Sequence, residues 1–389
     1  MIQTILAVVI AAGIPALFLL LIYTLDLYAS RAFRLVVLCF GWGAVGAFGL
    51  AYLTNTYAGL PLGRTLKVDP QLFLVIAFAP VVEEIAKSLS LFYVSRRSEF
   101  TYFVDGAIYG FAAGIGFSII ENFLYLSVNP GIGIALALTR AFSTCLMHGT
   151  AAGLVGTVVG RFRFRRQSGR RLALVGGWAA AVLLHAFFNG ISRAAPLAEL
   201  AAVALAVAIG LAGVGLIALF INLGLHEERR WLGETLNRQV GVTAAEARAA
   251  QAYGNLDEVL KPIAQQFPQK AEQVEILLLQ QAQMGIKRKV EQRLDDPKLK
   301  EQLAQEIAQL RAEMERLRKE IGPYVMAYVR SVFPEGALDV WARLELVAAQ
   351  TGPTDLKRWA EMLSADEGRS TSRNIFARLK EAQKERWVS

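Results

Sequence analysis

Five ionisable side chains, Glu83, Glu84, Glu121, His148 and His185, fall in stretches of this sequence that are otherwise apolar enough to cross a membrane. An acidic or basic residue near the bilayer centre costs roughly 2.5–3.5 kcal/mol on insertion scales, so such residues signal chemistry or an ion path rather than packing. Their types suit hydrolysis. A carboxylate can take a proton from water, and a nearby imidazole or cation can stabilise the oxyanion that develops, both effects being stronger in a low dielectric. Two histidines and a glutamate, His148, His185 and Glu121, also satisfy a catalytic zinc site with one position open for water. The sequence contains neither HExxH nor a GxSxG elbow, and Ser143 lies five residues before His148, off its helix face, which disfavours a serine nucleophile.

Other polar residues keep helical register with these five. Glu83 and Lys87 are four apart, so they share a face and are expected to neutralise each other. Glu84, turned about 100° away, is then the freer acid and the favoured base. Pro80 loosens the helix just upstream. Gly106, Gly110 and Gly114 form a small-residue stripe that admits a second backbone and leads toward Glu121 and Asn122, while Asp105 opens that segment at the water boundary. Arg140, Thr144 and His148 share a face, as do His185 and Asn189; the third histidine, His226, sits where the apolar half ends and reads as interfacial.

The elements that must hold these groups follow from composition. The chain has 389 residues, 54% of them hydrophobic and 19% charged, but the charge is concentrated beyond about Leu225. A spanning helix needs roughly 20 mostly apolar residues. Seven segments qualify: 2–25, 33–55, 71–94, 102–127, 132–160, 172–193 and 197–224. The reading is all-α: a polytopic membrane bundle over 1–225, then a soluble, mostly helical domain over 226–389. The first segment lacks a basic n-region and a cleavage site, and is taken as a retained helix. Arg31, Arg34, Arg96, Arg97 and the run Arg161, Arg163, Arg165, Arg166, Arg170 and Arg171 lie on one side, against Arg64, Lys67 and Arg193 on the other. That asymmetry places the N-terminus outside and the C-terminal domain in the cytoplasm. The same loops account for much of the net charge of +8, so lipid is the expected partner and nucleic acid is not. Cys39 and Cys145 sit in separate spans without CxxC spacing and read as buried hydrophobes.

The order of motifs resembles the PrsW family of intramembrane proteases, relatives of the CAAX prenyl endopeptidases and bacteriocin-processing proteins. The matching residues are Glu83, Glu84 and Lys87; Asp105, Gly106, Tyr109, Gly110, Gly116, Phe117, Glu121, Asn122 and Tyr125; Arg140 and His148; and Leu184, His185 and Asn189, with Pro15, Tyr23 and Asp26 before them. The resemblance covers roughly residues 1–225. It implies hydrolysis of a peptide bond in a membrane-associated protein, some members acting on anti-sigma factors, in a bacterial plasma membrane. Glu83 or Glu84 would activate water, Glu121, His148 and His185 would complete the site, and Lys87, Asn122, Arg140 and Asn189 would support it. Asn189 stands where the family motif also takes Asp.

Beyond His226 the pattern is amphipathic helix. Leu303, Ile307, Leu310, Met314, Leu317 and Ile321 follow a/d spacing, with Glu306, Glu313, Arg311 and Arg318 flanking the seam. A homodimer through 303–321 and an intramolecular hairpin fit equally. Residues 241–267 read as a short helical pair around Gly254 and Asn255, and 373–384 as one further helix. The domain is expected to serve regulation or assembly. Two other functions use the same membrane residues: a proton- or ion-coupled transporter, disfavoured by the lack of an internal repeat, and an inactive scaffold presenting the helical tail.

Overall fold

In a computed structural model, residues 2–28, 32–128, 134–164, 167–194, 199–237, 241–251 and 256–332 are described. Residues up to Val332 form one compact unit. Arg165, Arg166, the turn at Gly254 and Asn255, and the helix expected over 373–384 lie outside the described residues.

Every regular element among the described residues is helical. Helix α1 is Ile2–Thr24 and α2 is Phe33–Thr65. Residues 70–94 form α3, assembled from Pro70–Phe73, a π-helical stretch Leu74–Phe78, and Ala79–Val94. Helix α4 is Phe103–Val128, α5 is Ile134–Arg161, α6 is Gln167–Ala194 and α7 is Glu199–Thr235. Six of these, all but α3, are long and apolar enough to cross a bilayer. Helix α3 is set apart by Glu83, Glu84 and Lys87.

Large apolar side chains point outward from this bundle: Val45, Tyr57, Leu172, Leu183, Phe187 and Leu200 are all exposed. That surface is the one lipid would cover. Helix α4 is the hub. Its apolar window is 94% buried, and the glycine stripe explains how. A Cβ on Gly106 would overlap the Gly156 carbonyl, one on Gly110 the Ala152 carbonyl, and one on Gly114 the His148 carbonyl. Backbones of α4 and α5 therefore touch, and Gly114 sets the height of His148 directly.

The polar half does not begin where the apolar pattern ends. Helix α7 runs unbroken across residue 225 to Thr235, and Glu228, Trp231, Leu232 and Thr235 are buried. Helices α8 (Ala244–Gln251) and α9 (Leu256–Gln266) supply the expected pair. Helices α10 (Ala271–Arg293) and α11 (Pro297–Ile321) form an antiparallel hairpin, followed by α12 (Pro323–Val332). The heptad seam is consumed inside this hairpin: Leu303, Ile307, Met314, Leu317 and Ile321 are buried within one chain. Lys287 of α10 pairs with Glu306 of α11 at 2.6 Å, and Glu306 also accepts from Ser98 in the turn after α3. Arg163, expected only as a topology signal, is buried and caps carbonyls in that turn, those of Phe100, Thr101 and Arg97.

Candidate active site

Helix α3 delivers the two glutamates to the bundle interior. The π stretch Leu74–Phe78 and Pro80 precede them, and Asn189 of α6 donates to the Val75 carbonyl in that stretch at 2.9 Å, so α6 is docked against it. A second dock lies below: Trp178 Nε1 donates to Ser88 Oγ at 2.9 Å. A third comes from α2, whose Trp42 Nε1 donates to the Ala86 carbonyl at 2.9 Å. Three independent bonds thus fix the rotation of α3 about its axis.

Lys87 is fully buried, and its Nζ lies 2.6 Å from Glu84 Oε1 and 2.9 Å from His148 Nδ1. The expected Glu83–Lys87 neutralisation is therefore corrected: the lysine pairs with Glu84. Positions three and four residues back share the same helix face, and here Lys87 lies at the centre of the bundle, toward His148, which is where Glu84 also points. His185 Nδ1 meets Glu84 Oε1 at 2.9 Å, so Glu84 ties Lys87 to α6. Glu83, and not Glu84 as expected, is therefore the acid held more loosely, its Oε1 accepting from Asn55 Nδ2 of α2 at 3.3 Å. His185 Nε2 is 3.8 Å from Glu83 Oε2.

On the other side of His148, Nε2 lies 3.2 Å from Glu121 Oε2. A lysine ammonium offers only donors, so His148 Nδ1 accepts from Lys87 and Nε2 carries the hydrogen that Glu121 accepts. Arg140 Nη2 stands 3.6 Å from Glu121 Oε2, its Nε donates to Asn122 Oδ1 at 2.8 Å, and its guanidinium lies over the Tyr125 ring. Asn122 in turn donates to Cys145 Sγ at 2.9 Å. The two imidazoles meet edge to face with centroids 4.7 Å apart, and Phe117 closes the wall beside His148 and Lys87.

Glu83, His148 and His185 each offer one ligand atom within 4.8 Å of the others, and all three are buried. The expected zinc set had Glu121 as its carboxylate. Glu83 occupies that place in the gathered set, while Glu121 stands on the outer nitrogen of His148. Two features fit a metal. Glu83 Oε2 is buried with no hydrogen-bond partner among the described residues, an arrangement rarely left without a use. His185 has a carboxylate, Glu84, on its inner nitrogen, the partner that orients metal-bound histidines. His148 can join through a ring nitrogen by giving up one of its two hydrogen bonds.

Eight of the nine expected site residues, Glu83, Glu84, Lys87, Glu121, Asn122, Arg140, His148 and His185, lie in one connected network, while Asn189 stands apart from it and bonds the Val75 carbonyl. Asp105 is placed differently from the water boundary expected for it, being buried and accepting from Thr101 N and Oγ1 at 2.6 Å each. Two contributors went unnoticed. Trp42 carried no signal beyond its type. Asn55 was treated as the last residue of a span that in fact continues to Thr65.

Residues 31–223 match the family model described as PrsW family intramembrane metalloprotease. Among curated proteins, the chain is 29% identical over 182 residues to Protease PrsW of Halalkalibacterium halodurans, covering 46% of this chain and 81% of that protein. It is 27% identical over 184 residues to Protease PrsW of Geobacillus kaustophilus, with 47% and 76% covered. Protease PrsW of Bacillus subtilis is 27% identical over 189 residues, with 48% and 83% covered. No solved structure matches the chain.

Proposed function

Residues 31–223 of this chain belong to the PrsW family of intramembrane metalloproteases, and from that premise we propose that it is an endopeptidase cutting a membrane-associated protein at the site formed by Glu83, His148 and His185. One observation carries the reading: three potential ligands from three helices converge within 4.8 Å inside an apolar bundle, with a carboxylate oxygen of Glu83 that has no partner among the described residues.

Each side chain has a role in this reading. Glu83, His148 and His185 would hold zinc, which when bound supplies Lewis acidity at the point of attack. Lys87 and Glu84 fix the imidazoles, one from each side. Glu84 Oε2 is buried without a partner among the described residues and takes the proton from the attacking water. The water oxygen adds to the scissile carbonyl carbon, and the proton passes on to the departing amine. Arg140, steadied by Asn122 and Tyr125, offers positive charge on the side where Glu121 and Arg140 keep partial exposure, 33% and 18% of their side chains. That is the side from which the substrate reaches the site.

Helix α3 serves as a seventh span in this reading, with its three charged residues satisfied from within the bundle. The N-terminus is then outside and the helices beyond α7 cytoplasmic, following the arginine asymmetry. Those helices form the regulatory or assembly domain. Because the 303–321 seam is used within the hairpin, a homodimer through it would have to open α10 from α11.

The test is cleavage of a reporter membrane protein by purified full-length chain, comparing wild type with Glu83→Gln, Glu84→Gln, His148→Ala and His185→Ala. We expect cleavage by wild type alone. Four variants that insert normally and cleave as well as wild type would refute the assignment. An ion relay made of the same residues would leave the reporter uncut by every form, which refutes it equally.

A further inference from the structure

Asn55 of α2 reaches the site with its side-chain amide. It opens a π-helical stretch, Asn55–Gly59, within a mostly apolar helix and stands between two threonines, Thr54 and Thr56. Its neighbour Thr54 returns its hydroxyl to its own helix, to the Leu50 carbonyl at 2.8 Å, the inexpensive way to keep a hydroxyl in a membrane helix. Asn55 does not. Its Nδ2 donates across to Glu83 Oε1, and its Oδ1 is buried with no partner among the described residues.

The backbone is built to put it there. Short π-helical turns rotate the residues that follow and recur at functional sites. The Asn55–Gly59 turn faces the π turn Leu74–Phe78 of α3, and a Cβ on Gly59 would crowd Phe78 and Leu74. Two irregular turns thus press together just ahead of Glu83, and Asn55 opens one of them and reaches Glu83. Its single bond to Glu83 leaves Oε2 to face His185 Nε2.

We propose that Asn55 is a further residue of the proteolytic site: its amide N–H fixes Glu83 with Oε2 turned toward the histidines, and its side-chain carbonyl accepts a backbone N–H of the substrate beside the scissile bond. This rests on the proteolytic reading above. An extended peptide has N–H groups to offer once its strand or helix partners are lost, and a buried amide oxygen is the complementary acceptor.

The experiment uses full-length protein in nanodiscs, with zinc affinity measured by competition against a chelator and cleavage of the reporter measured over a range of substrate concentrations. Asn55→Leu keeps the size and removes both polar atoms; Asn55→Gln keeps the amide on a longer arm. We expect Asn55→Leu to bind zinc about 10- to 100-fold more weakly, as loss of a group supporting a ligand does. We also expect its KM, measured at saturating zinc, to rise about 10-fold, the scale of one lost hydrogen bond. Asn55→Gln should recover part of both. An inserted Asn55→Leu protein with wild-type zinc affinity and wild-type KM overturns the inference, while a His185→Ala control that loses zinc shows that the site itself stands. A wild-type chain that binds no zinc overturns both. Should Asn55→Leu fail to insert, Asn55→Gln decides: wild-type values for a side chain whose amide is displaced by a methylene count against the inference.

Discussion

Two regions of this molecule bury carboxylates, and they treat them in opposite ways. In the C-terminal helices Glu246 is fully buried, and both oxygens are engaged: Oε2 by Arg318 at 2.9 Å and Oε1 by Arg330 at 2.9 and 3.1 Å. It also closes a reciprocal cap with Thr243, each accepting the other's backbone N–H at 3.2 Å. One acid joins α8, α11 and α12 and has nothing left to offer. In the membrane bundle Glu83 and Glu84 are buried too, yet each keeps one oxygen without a partner among the described residues. Burial alone does not separate a structural acid from a reactive one. On the proposed reading saturation of the carboxylate does, since an unsatisfied buried oxygen costs about 1–3 kcal/mol.

The contrast can be broken or sharpened by substitution. The largest effect belongs to the unsaturated site: Glu83→Gln or His185→Ala should lower cleavage on the order of 10^3-fold with little change in folding, the scale of losing an acid, base or positioned charge. A Glu246→Ala variant should do the reverse, lowering the unfolding midpoint in micelles by the equivalent of about 3 kcal/mol while the folded fraction keeps its kcat. Loss of kcat in folded Glu246→Ala protein would break the comparison.

Lys87→Met probes a case between these. It leaves Glu84 as an uncompensated buried charge, so a loss of about 3–5 kcal/mol in stability is expected together with lost cleavage. Smaller again is Gly114→Ala, where the new methyl meets the His148 carbonyl; about 1–3 kcal/mol of overpacking strain is expected, and cleavage should fall more than for Gly106→Ala, which meets Gly156 instead. Smallest is Thr243→Ala, about 1 kcal/mol from the cap, read as a shift in midpoint without any change in cleavage.

Much of this is legible in the sequence. Charged residues in apolar runs located Glu83, Glu84, Glu121, His148 and His185, because a membrane helix tolerates few such exceptions. The four-residue glycine stripe announced a close backbone contact on α4, and the structure supplies α5 as the partner. Pairing within the site was not legible. Helical spacing allows Lys87 to reach residue 83 or 84, and only the position of His148 and His185 on other helices decides that it reaches Glu84. Asn55 was hidden by a boundary: the span expected over 33–55 stops there, yet α2 passes through a π turn at Asn55–Gly59 and continues to Thr65. The end of the bundle was obscured likewise, since α7 carries its polar last turns without interruption and the heptad seam looks the same whether its partner is α10 or a second chain.

The most direct test of the central claim is zinc content per chain, by elemental analysis of wild type, Glu83→Gln and Glu84→Gln purified alike, with reporter cleavage measured on the same samples. The account predicts zinc in wild type and Glu84→Gln, its loss in Glu83→Gln, and cleavage by wild type alone. Full cleavage by a zinc-free wild-type preparation, or zinc retained by Glu83→Gln and lost from Glu84→Gln, would contradict it.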